Sequence, residues 1–94
     1  MRERDIEAYF REQVKKAGGR AYKFVSPGNN GVPDRIISFP GDRIFFVELK
    51  APGKKQTALQ LVQAKRLIEN DHKVIVIDSK EGVDEFIKQV TTKE

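Results

Sequence analysis

Apolar side chains recur at helical spacing in three separate stretches of the chain. Over residues 2–17, apolar residues three or four positions apart form one face, and the glycine pair at 18–19 ends this first helix. A second helix is predicted from a cap at Thr57 to about Asn70, and a third helix follows a cap at Ser79. The residues expected to face inward are Ile6, Phe10, Val14, Ala17, Leu61, Ala64, Leu67, Ile68, Val83, Phe86, Ile87 and Val90.

Four short stretches rich in β-branched and aromatic residues separate these helices and predict strands. They span 20–25, 34–39, 44–50 and 73–78, and the turn-forming segments PGNNG and PGD lie between the first three. The third stretch is apolar at consecutive positions over 44–47, which favours a central place in the sheet. The first three strands should form an antiparallel meander, and the crossover through the second helix should make the fourth strand parallel to the third.

The predicted order αβββαβα defines an α/β fold with a mixed four-stranded sheet and a C-terminal helix. Its 94 residues suit a single domain over 1–94 with a small core. The absence of cysteine excludes disulfides and thiolate metal sites, and the single histidine, His72, argues against a His-rich zinc site. Tyr22 and Phe24 are expected in the core rather than as platforms for base stacking.

The charge pattern adds little by itself. The net charge of +4 is compatible with nucleic acid, but a solvated lysine-rich surface accounts for it equally well. No apolar run reaches the roughly 20 residues of a membrane span, and the charged N-terminal segment has no signal-peptide core. We therefore expect a cytoplasmic protein without a membrane partner, in the host cell cytoplasm if the source is viral.

Charged residues follow the apolar part of the third strand. Glu48 and Lys50 are two positions apart, so their side chains share one face of the sheet while Leu49 points to the other. A half-buried charge is costly unless it is paired or bound to a metal. A hairpin centred near residue 41 or 42 sets Asp34 opposite residue 48 or 50, and either register places its carboxylate on that same face.

Two carboxylates and a lysine at one point suit hydrolysis of a phosphodiester. The carboxylates of Asp34 and Glu48 are suited to Mg²⁺ or Mn²⁺, and the backbone carbonyl of Leu49 is a candidate further ligand. Such an ion polarises the phosphodiester and lowers the pKa of a bound water. Lys50 is placed to orient or deprotonate that water, or to neutralise charge on the phosphate. The alternative is a structural ion pair of Lys50 with Glu48 or Asp34.

The segments GVPD and VELK, with Gln60 in the following helix, resemble the VRR-NUC family, the virus-type replication-repair nucleases of the PD-(D/E)XK superfamily. The resemblance covers nearly the whole chain and implies a restriction-endonuclease-like αβββαβ core in a stand-alone, minimal form. It implies that Asp34 and Glu48 are metal carboxylates, that the Leu49 carbonyl is a third ligand and that Lys50 is the catalytic lysine. Gln60 would line the same site and hold the water or a phosphate.

The resemblance also implies an acidic residue on the first helix that completes the site. Glu7 is the first choice for a catalytic and metal-binding role, because it lies next to the buried face of that helix. Glu3, one turn earlier, is the alternative, and a solvated helix charge is the alternative role for both.

Basic and polar residues around the site are candidate DNA contacts. Lys54 and Lys55 directly follow the catalytic strand in the loop APGKK, where they are placed to touch phosphates. The loop 28–31 precedes Asp34, and its glycines permit a close approach to a backbone. The remaining candidates are Lys23, Asn29, Asn30 and Arg35.

Together these features predict a Mg²⁺- or Mn²⁺-dependent DNA endonuclease. The resemblance suggests branched DNA such as a Holliday junction, in a phage or viral setting of DNA replication, repair or recombination. Symmetric cutting of two strands suits a C2 homodimer. One alternative is a non-catalytic DNA-binding or assembly module of the same fold, which the intact Asp34, Glu48 and Lys50 argue against. Another is a nuclease for flaps, single-stranded DNA or RNA, which nothing in the sequence separates from the first.

Overall fold

The computed structural model of the protein describes residues 1–92, so the last two residues of the predicted 1–94 domain lie outside it. The element order is the predicted αβββαβα. Each boundary falls within two residues of its predicted position. The elements are α1 (Glu3–Lys16), β1 (Arg20–Lys23), β2 (Arg35–Phe39), β3 (Arg43–Leu49), α2 (Ala58–Glu69), β4 (Lys73–Ile77) and α3 (Lys80–Thr91).

The strands form one mixed sheet in the order β1-β2-β3-β4. The first three strands are antiparallel and β4 is parallel to β3, as predicted. In the β2–β3 hairpin Arg35 pairs with Val47 and Phe39 pairs with Arg43, so the hairpin is centred on Gly41. Continuing this register by one residue sets position 34 opposite position 48. The strand register therefore brings the two predicted carboxylates to one end of the sheet.

The main core lies between one face of the sheet and helices α1 and α3. Alternate residues of β3 point into it, as strand geometry requires. Phe86 of α3 packs at its centre, with ring centroids 5.8 Å from Phe10 and 5.3 Å from Phe45. Ser79 caps α3 by accepting a hydrogen bond from the Gly82 N–H over 2.9 Å. The buried core residues are Ile6, Phe10, Val14, Ile37, Phe39, Phe45, Val47, Leu49, Ile77, Val83, Phe86 and Val90.

Helix α2 lies over the other face of the sheet, in an orientation that differs from the prediction. Leu61 and Ile68, expected to face inward, are 54% and 55% exposed. Ala64 and Leu67 face the sheet as predicted, and Gln60 completes this stripe at a spacing of four and three residues. Periodicity alone favours an all-apolar stripe. In the fold, Gln60 faces the sheet in place of Leu61 because its amide contacts Glu48.

The face under α2 is also less covered at the edge strand. Tyr22, expected in the core, is 54% exposed, because β1 is a four-residue edge strand and α2 packs mainly on β4 at the opposite edge. Phe24 is half-buried and packs on Phe46 with ring centroids 5.8 Å apart, in keeping with its prediction. Within residues 1–92, no helix is long and apolar enough to cross a membrane.

Candidate active site

Asp34 is held at the end of the sheet by contacts with two neighbouring strands. Its backbone carbonyl accepts a hydrogen bond from the Phe24 N–H over 2.8 Å, which extends the β1–β2 pairing. Its Oδ2 accepts a hydrogen bond from the Leu49 N–H over 2.8 Å, which ties the carboxylate to the last residue of β3. The preceding Pro33 is fully buried and restricts the backbone that enters the strand. The PD dipeptide therefore places a carboxylate at a fixed point beside Glu48.

Glu48 is the buried charged residue of this site. Its side chain is only 2% exposed, because it points beneath α2 from the central strand. The Gln60 Nε2 donates a hydrogen bond to its Oε2 over 3.0 Å. Its Oε1 is buried and accepts no hydrogen bond from residues 1–92. A buried carboxylate oxygen without a donor is costly unless a cation or water satisfies it.

The environment of Glu48 strongly disfavours its charged form. Burial, together with the charge and a side-chain hydrogen bond of Asp34, raises the pKa of Glu48 from 4.5 to about 8. The ammonium of Lys50 acts in the opposite direction, and the charge of Glu3 raises the pKa further. A buried carboxyl group whose ionisation is opposed by a neighbouring carboxylate forms a site that a cation would stabilise.

Gln60 belongs both to the N-terminus of α2 and to the carboxylate site. Its Oε1 accepts a hydrogen bond from the Thr57 N–H over 2.8 Å, and the Thr57 Oγ1 accepts one from the Gln60 N–H over 3.2 Å. These reciprocal bonds form a capping box, which satisfies two free donors at the start of the helix. Because the amide oxygen is used by the cap, the amide nitrogen is turned toward Glu48.

Lys50 follows β3 directly and is half-buried. Its backbone N–H donates to the Ile77 carbonyl over 2.9 Å, so the position is anchored to the end of β4. Its ammonium is close enough to lower the pKa of Glu48. The structure thus brings together four of the predicted positions, Asp34, Glu48, Lys50 and Gln60, at one end of the sheet.

The two acidic candidates on α1, Glu7 and Glu3, interact with different residues. The Glu7 Oε2 pairs with the Arg35 Nη2 over 3.1 Å, on the core side of the sheet that carries α1. This ion pair engages the carboxylate of Glu7 away from the Asp34–Glu48 pair. Glu3 is the acid of α1 whose charge acts on Glu48. The same ion pair leaves the Arg35 side chain only 13% exposed, which removes it from the surface available to DNA.

The other predicted DNA contacts lie in exposed segments around the site. The Asn29 Nδ2 donates to the Ser26 Oγ over 3.0 Å, which holds a turn of the loop before Asp34. The loop after Lys50 is tied to the end of β4 by a hydrogen bond from the Gly53 N–H to the Asp78 Oδ2 over 3.2 Å. The predicted DNA contacts with exposed side chains in these segments and in β1 are Lys23, Asn29, Asn30, Lys54 and Lys55.

Gly31 fixes the approach of the loop before Asp34 to α2. A Cβ at this position would lie 2.7 Å from the carbonyl carbon of Leu59 and 3.0 Å from the Gln60 nitrogen. Its φ of +93° is also a conformation that favours glycine. The glycine therefore lets the loop pack on the backbone that carries Gln60.

The donor set fits a hard divalent cation. Within residues 1–92, no three His, Cys, Asp or Glu side chains converge on one point, so the carboxylate pair is the whole acidic set of the site. The pair offers oxygen ligands of the kind that Mg²⁺ and Mn²⁺ prefer, and Mg²⁺ is commonly held by one or two carboxylates with water and phosphate. The unsatisfied Glu48 Oε1 is the observation that fits such an ion.

Sequence reasoning missed two positions that support the site. Thr57 was recognised as a helix cap, but the reciprocal pattern Thr-x-x-Gln in TALQ would have indicated that the cap also orients Gln60. The contact of Gly31 with α2 joins residues 28 positions apart and has no local pattern.

Two known proteins are similar to this chain over most of its length. The chain is 52% identical over 81 residues to "Putative nuclease p44" of Acyrthosiphon pisum secondary endosymbiont phage 1, which covers 86% of this chain and 87% of that protein. A solved structure described as a VRR_NUC domain matches with a TM-score of 0.86 and 30% identity, over 92% of this chain and 94% of that chain. No family model matches the chain.

The fold and the site define a nuclease domain of the restriction-endonuclease-like class. Its fold agrees with that of the solved neighbour over 92% of this chain. The chain belongs to the VRR-NUC family.

Proposed function

We propose that this nuclease is a Mg²⁺- or Mn²⁺-dependent endonuclease that cleaves branched DNA. The observation that carries the metal dependence is Glu48, a buried carboxylate with one oxygen lacking any donor among residues 1–92. Asp34 adjoins it, and the mutual repulsion of the two carboxylates favours a bound cation. Asp34, Glu48 and the Leu49 carbonyl would hold the ion, which would polarise the phosphodiester and lower the pKa of a bound water.

The remaining residues of the site act on the substrate or on the carboxylates. Lys50 carries a positive charge next to the pair, where its ammonium hydrogen-bonds a phosphate oxygen or orients the attacking water. Gln60 holds the Glu48 carboxylate in one orientation through its amide nitrogen. A ligand held by an outer hydrogen bond in this way presents its remaining oxygen in a defined direction.

Branched DNA is proposed as the substrate because of the family and because of the surface around the site. Exposed loops on both sides of the carboxylate pair carry amide and lysine side chains, suited to phosphate contacts without a base-reading element. The phage origin of the 52% identical relative supports a role in phage DNA replication, repair or recombination, in the host cell cytoplasm.

We include a homodimer in this proposal. A junction has two equivalent strands, and a C2 dimer presents two equivalent sites. Helix α2 supports self-association, because it exposes a set of large apolar side chains that a monomer would leave in water. These are Leu59, Leu61, Val62 and Ile68, with exposures of 57%, 54%, 45% and 55%.

One assay tests the proposed reaction. The protein is incubated with a labelled four-way junction, a flap, a single strand and a plain duplex, in Mg²⁺, Mn²⁺ or EDTA. We expect cleavage of the junction with either metal and none in EDTA. Lys50→Ala and Asp34→Asn should abolish cleavage, whereas Asp42→Asn, in the exposed β2–β3 turn, should cleave like the wild type.

Each part of the proposal has an outcome that contradicts it. Cleavage that persists in EDTA, or in both site variants, would rule out the metal-dependent mechanism. Junction binding without cleavage in every condition would identify a binding module instead. Preferred cleavage of flaps or single strands would replace the proposed substrate. A monomeric mass in light scattering at micromolar concentration and above would contradict the dimer.

A further inference from the structure

A groove runs between helix α1 and the edge strand β1, away from the carboxylate site. It has a volume of about 760 Å³ and is open to solvent along one side of the molecule. The C-terminal half of α1 forms one wall, the glycine pair forms the end and the first residues of β1 form the other wall. Its lining includes Arg11, Glu12, Lys15, Arg20 and Tyr22.

The groove is basic, and its cations form no ion pairs among residues 1–92. Arg11, Lys15 and Arg20 are all exposed, and none of them forms an ion pair with a residue in the range 1–92. The one acid in the lining, Glu12, is neutralised by Lys16, whose Nζ lies 3.0 Å from the Glu12 Oε1. An exposed cluster of unpaired cations is suited to an anionic partner.

The groove lies along the edge strand β1, whose other end adjoins the carboxylate site. Lys23 pairs with Arg35 next to the site, and Arg20 lies three residues farther along the same strand. Measured from the level of Asp34, Arg20 is four strand residues away, or about 13 Å at the usual rise per residue. Phosphates in one DNA strand are about 3.4 Å apart along the helix axis, so this distance corresponds to about four base pairs.

Helix α1 also carries a row of cations. Arg4, Arg11 and Lys15 are seven and four residues apart, which places them on one stripe of the helix. Ala8 lies on the same stripe and lines the groove, so a small side chain leaves room between the cations. Lys15 and Lys16 in the last turn offset the partial negative charge of the helix end, which would otherwise repel a phosphate.

We propose that the groove between α1 and β1, through Arg11, Lys15 and Arg20, binds the phosphate backbone of a duplex arm about four base pairs from the scissile phosphate. The proposal rests on the proposed action on DNA and names where one arm of that substrate lies. Tyr22, more than half exposed at the groove, packs its ring against the sugar-phosphate backbone. The groove does not read bases, because phosphate contacts position the duplex and carry no sequence information.

The test uses DNA binding by a triple variant, Arg11→Gln, Lys15→Gln and Arg20→Gln, in the non-cleaving Asp34→Asn background. Glutamine keeps a long side chain of good helix propensity and removes only the charge. A matched triple variant, Lys73→Gln, Lys80→Gln and Lys88→Gln, removes the same charge from exposed positions of β4 and α3 that do not line the groove. Circular dichroism and thermal unfolding check that both variants are folded.

We expect the groove variant to bind a junction with arms of about ten base pairs at least tenfold more weakly than the control variant. The slope of log K against log salt should fall by about 2.7 relative to the Asp34→Asn parent, the value for three lost phosphate contacts. On the same junction with neutral methylphosphonate linkages about four base pairs from the scissile phosphate, the two variants should bind alike, because the DNA then offers no charge to the groove.

The outcomes separate this proposal from the proposed function. Equal affinities and salt slopes for the two triple variants on the unmodified junction would contradict DNA binding by the groove. Metal-dependent cleavage by the wild type would still support the proposed nuclease function in that case. An equal loss for the groove variant on the unmodified and the neutral-linkage junction would also contradict it, because the charges would then act without this contact. If the wild type neither binds nor cleaves any DNA, both proposals fail together.

Discussion

The side-chain amide of Gln60 donates a hydrogen bond to the Glu48 carboxylate over 3.0 Å, across the interface between α2 and the central strand. The same amide closes the capping box of α2 by accepting the Thr57 N–H. Gln60 therefore links the start of α2 to the buried carboxyl group of Glu48. This arrangement makes the orientation of the carboxylate depend on the position of α2.

Removal of the Gln60 side chain should lower the activity strongly and the free energy of unfolding only slightly. In Gln60→Ala, Glu48 loses its only side-chain hydrogen-bond donor among residues 1–92, and we expect kcat/KM to fall about 10–100-fold, as for other outer partners of metal ligands. Loss of one half of the capping box should cost about 0.5–2 kcal/mol in urea unfolding. Gln63→Ala, on the same helix, is the control and should change kcat/KM less than twofold. Equal kinetics for the two variants would show that the Gln60 bond does not orient the site.

Substitution of Gly31 should be more damaging than substitution of Gly28 at a similar φ. Both have positive φ, +93° and +81°, so alanine costs about 1–2 kcal/mol at each from the backbone alone. At Gly31 the added Cβ meets the Leu59 backbone at 2.7 Å, whereas at Gly28 it meets nothing within 4 Å. We expect Gly31→Ala to lose about 2–5 kcal/mol in urea unfolding and to lower kcat/KM. Similar losses in the two variants would contradict the close contact between this loop and α2.

The metal-free protein should lose stability as pH rises, because of Glu48. The folded state raises the pKa of Glu48 to about 8 from 4.5, so the folded protein holds a proton that the unfolded chain releases. This contribution is complete below pH 4.5 and is lost as pH rises through about 8. In EDTA, the free energy of unfolding of the wild type should fall relative to Glu48→Gln over this range. Parallel pH profiles for the two proteins would contradict the raised pKa.

Divalent metal should stabilise the fold through the carboxylate pair. A ligand that binds only the folded state adds about 2.7 kcal/mol at a concentration one hundred times its Kd. Mn²⁺ or Mg²⁺ should therefore raise the Tm of the wild type in a thermal scan and leave that of Asp34→Asn unchanged. Asp42→Asn is the matched control, since this carboxylate lies in the exposed turn after β2, and should respond like the wild type. An equal metal response in Asp34→Asn would place the ion elsewhere.

The exposed stripe of α2 should contribute little to the stability of the monomer. Ile37→Ala removes a fully buried side chain and should cost about 2–5 kcal/mol, whereas Ile68→Ala, at a position 55% exposed, should change stability by about 0.5 kcal/mol or less. The two variants are compared by urea unfolding at submicromolar protein concentration, so that the stability of the monomer is measured. A loss above 2 kcal/mol for Ile68→Ala under those conditions would show that this side chain is part of the core.

Most of the fold was predictable from local patterns. The order of elements, the mixed sheet and the two helix caps at Thr57 and Ser79 follow from periodicity and turn chemistry, and the structure confirms them. Strand alternation predicted that Glu48 and Lys50 share a face, and the hairpin limited Asp34 to that face in two registers. The observed pairing is one of these two. These features were accessible because they depend on neighbours in sequence.

The errors have a common physical origin. Leu61 and Ile68 were assigned to the core because periodicity favours apolar stripes, but Gln60 faces the sheet instead. Tyr22 is predicted in the core because it shares one side of its strand with Phe24, but an edge strand has a covering layer only if a helix reaches it. Both depend on how α2 is placed over the sheet, which no local pattern records.

The sequence by itself determined the types and order of the elements and the candidate residues for the chemistry, because both depend on spacing along the chain. The tertiary structure decided that Glu7 is paired with Arg35 while the charge of Glu3 acts on Glu48, and that Gln60 reaches Glu48. It also decided that Asp34 is held by the Leu49 N–H and that cations gather along β1. These are contacts between distant segments, and the packing of helices on the sheet selects them.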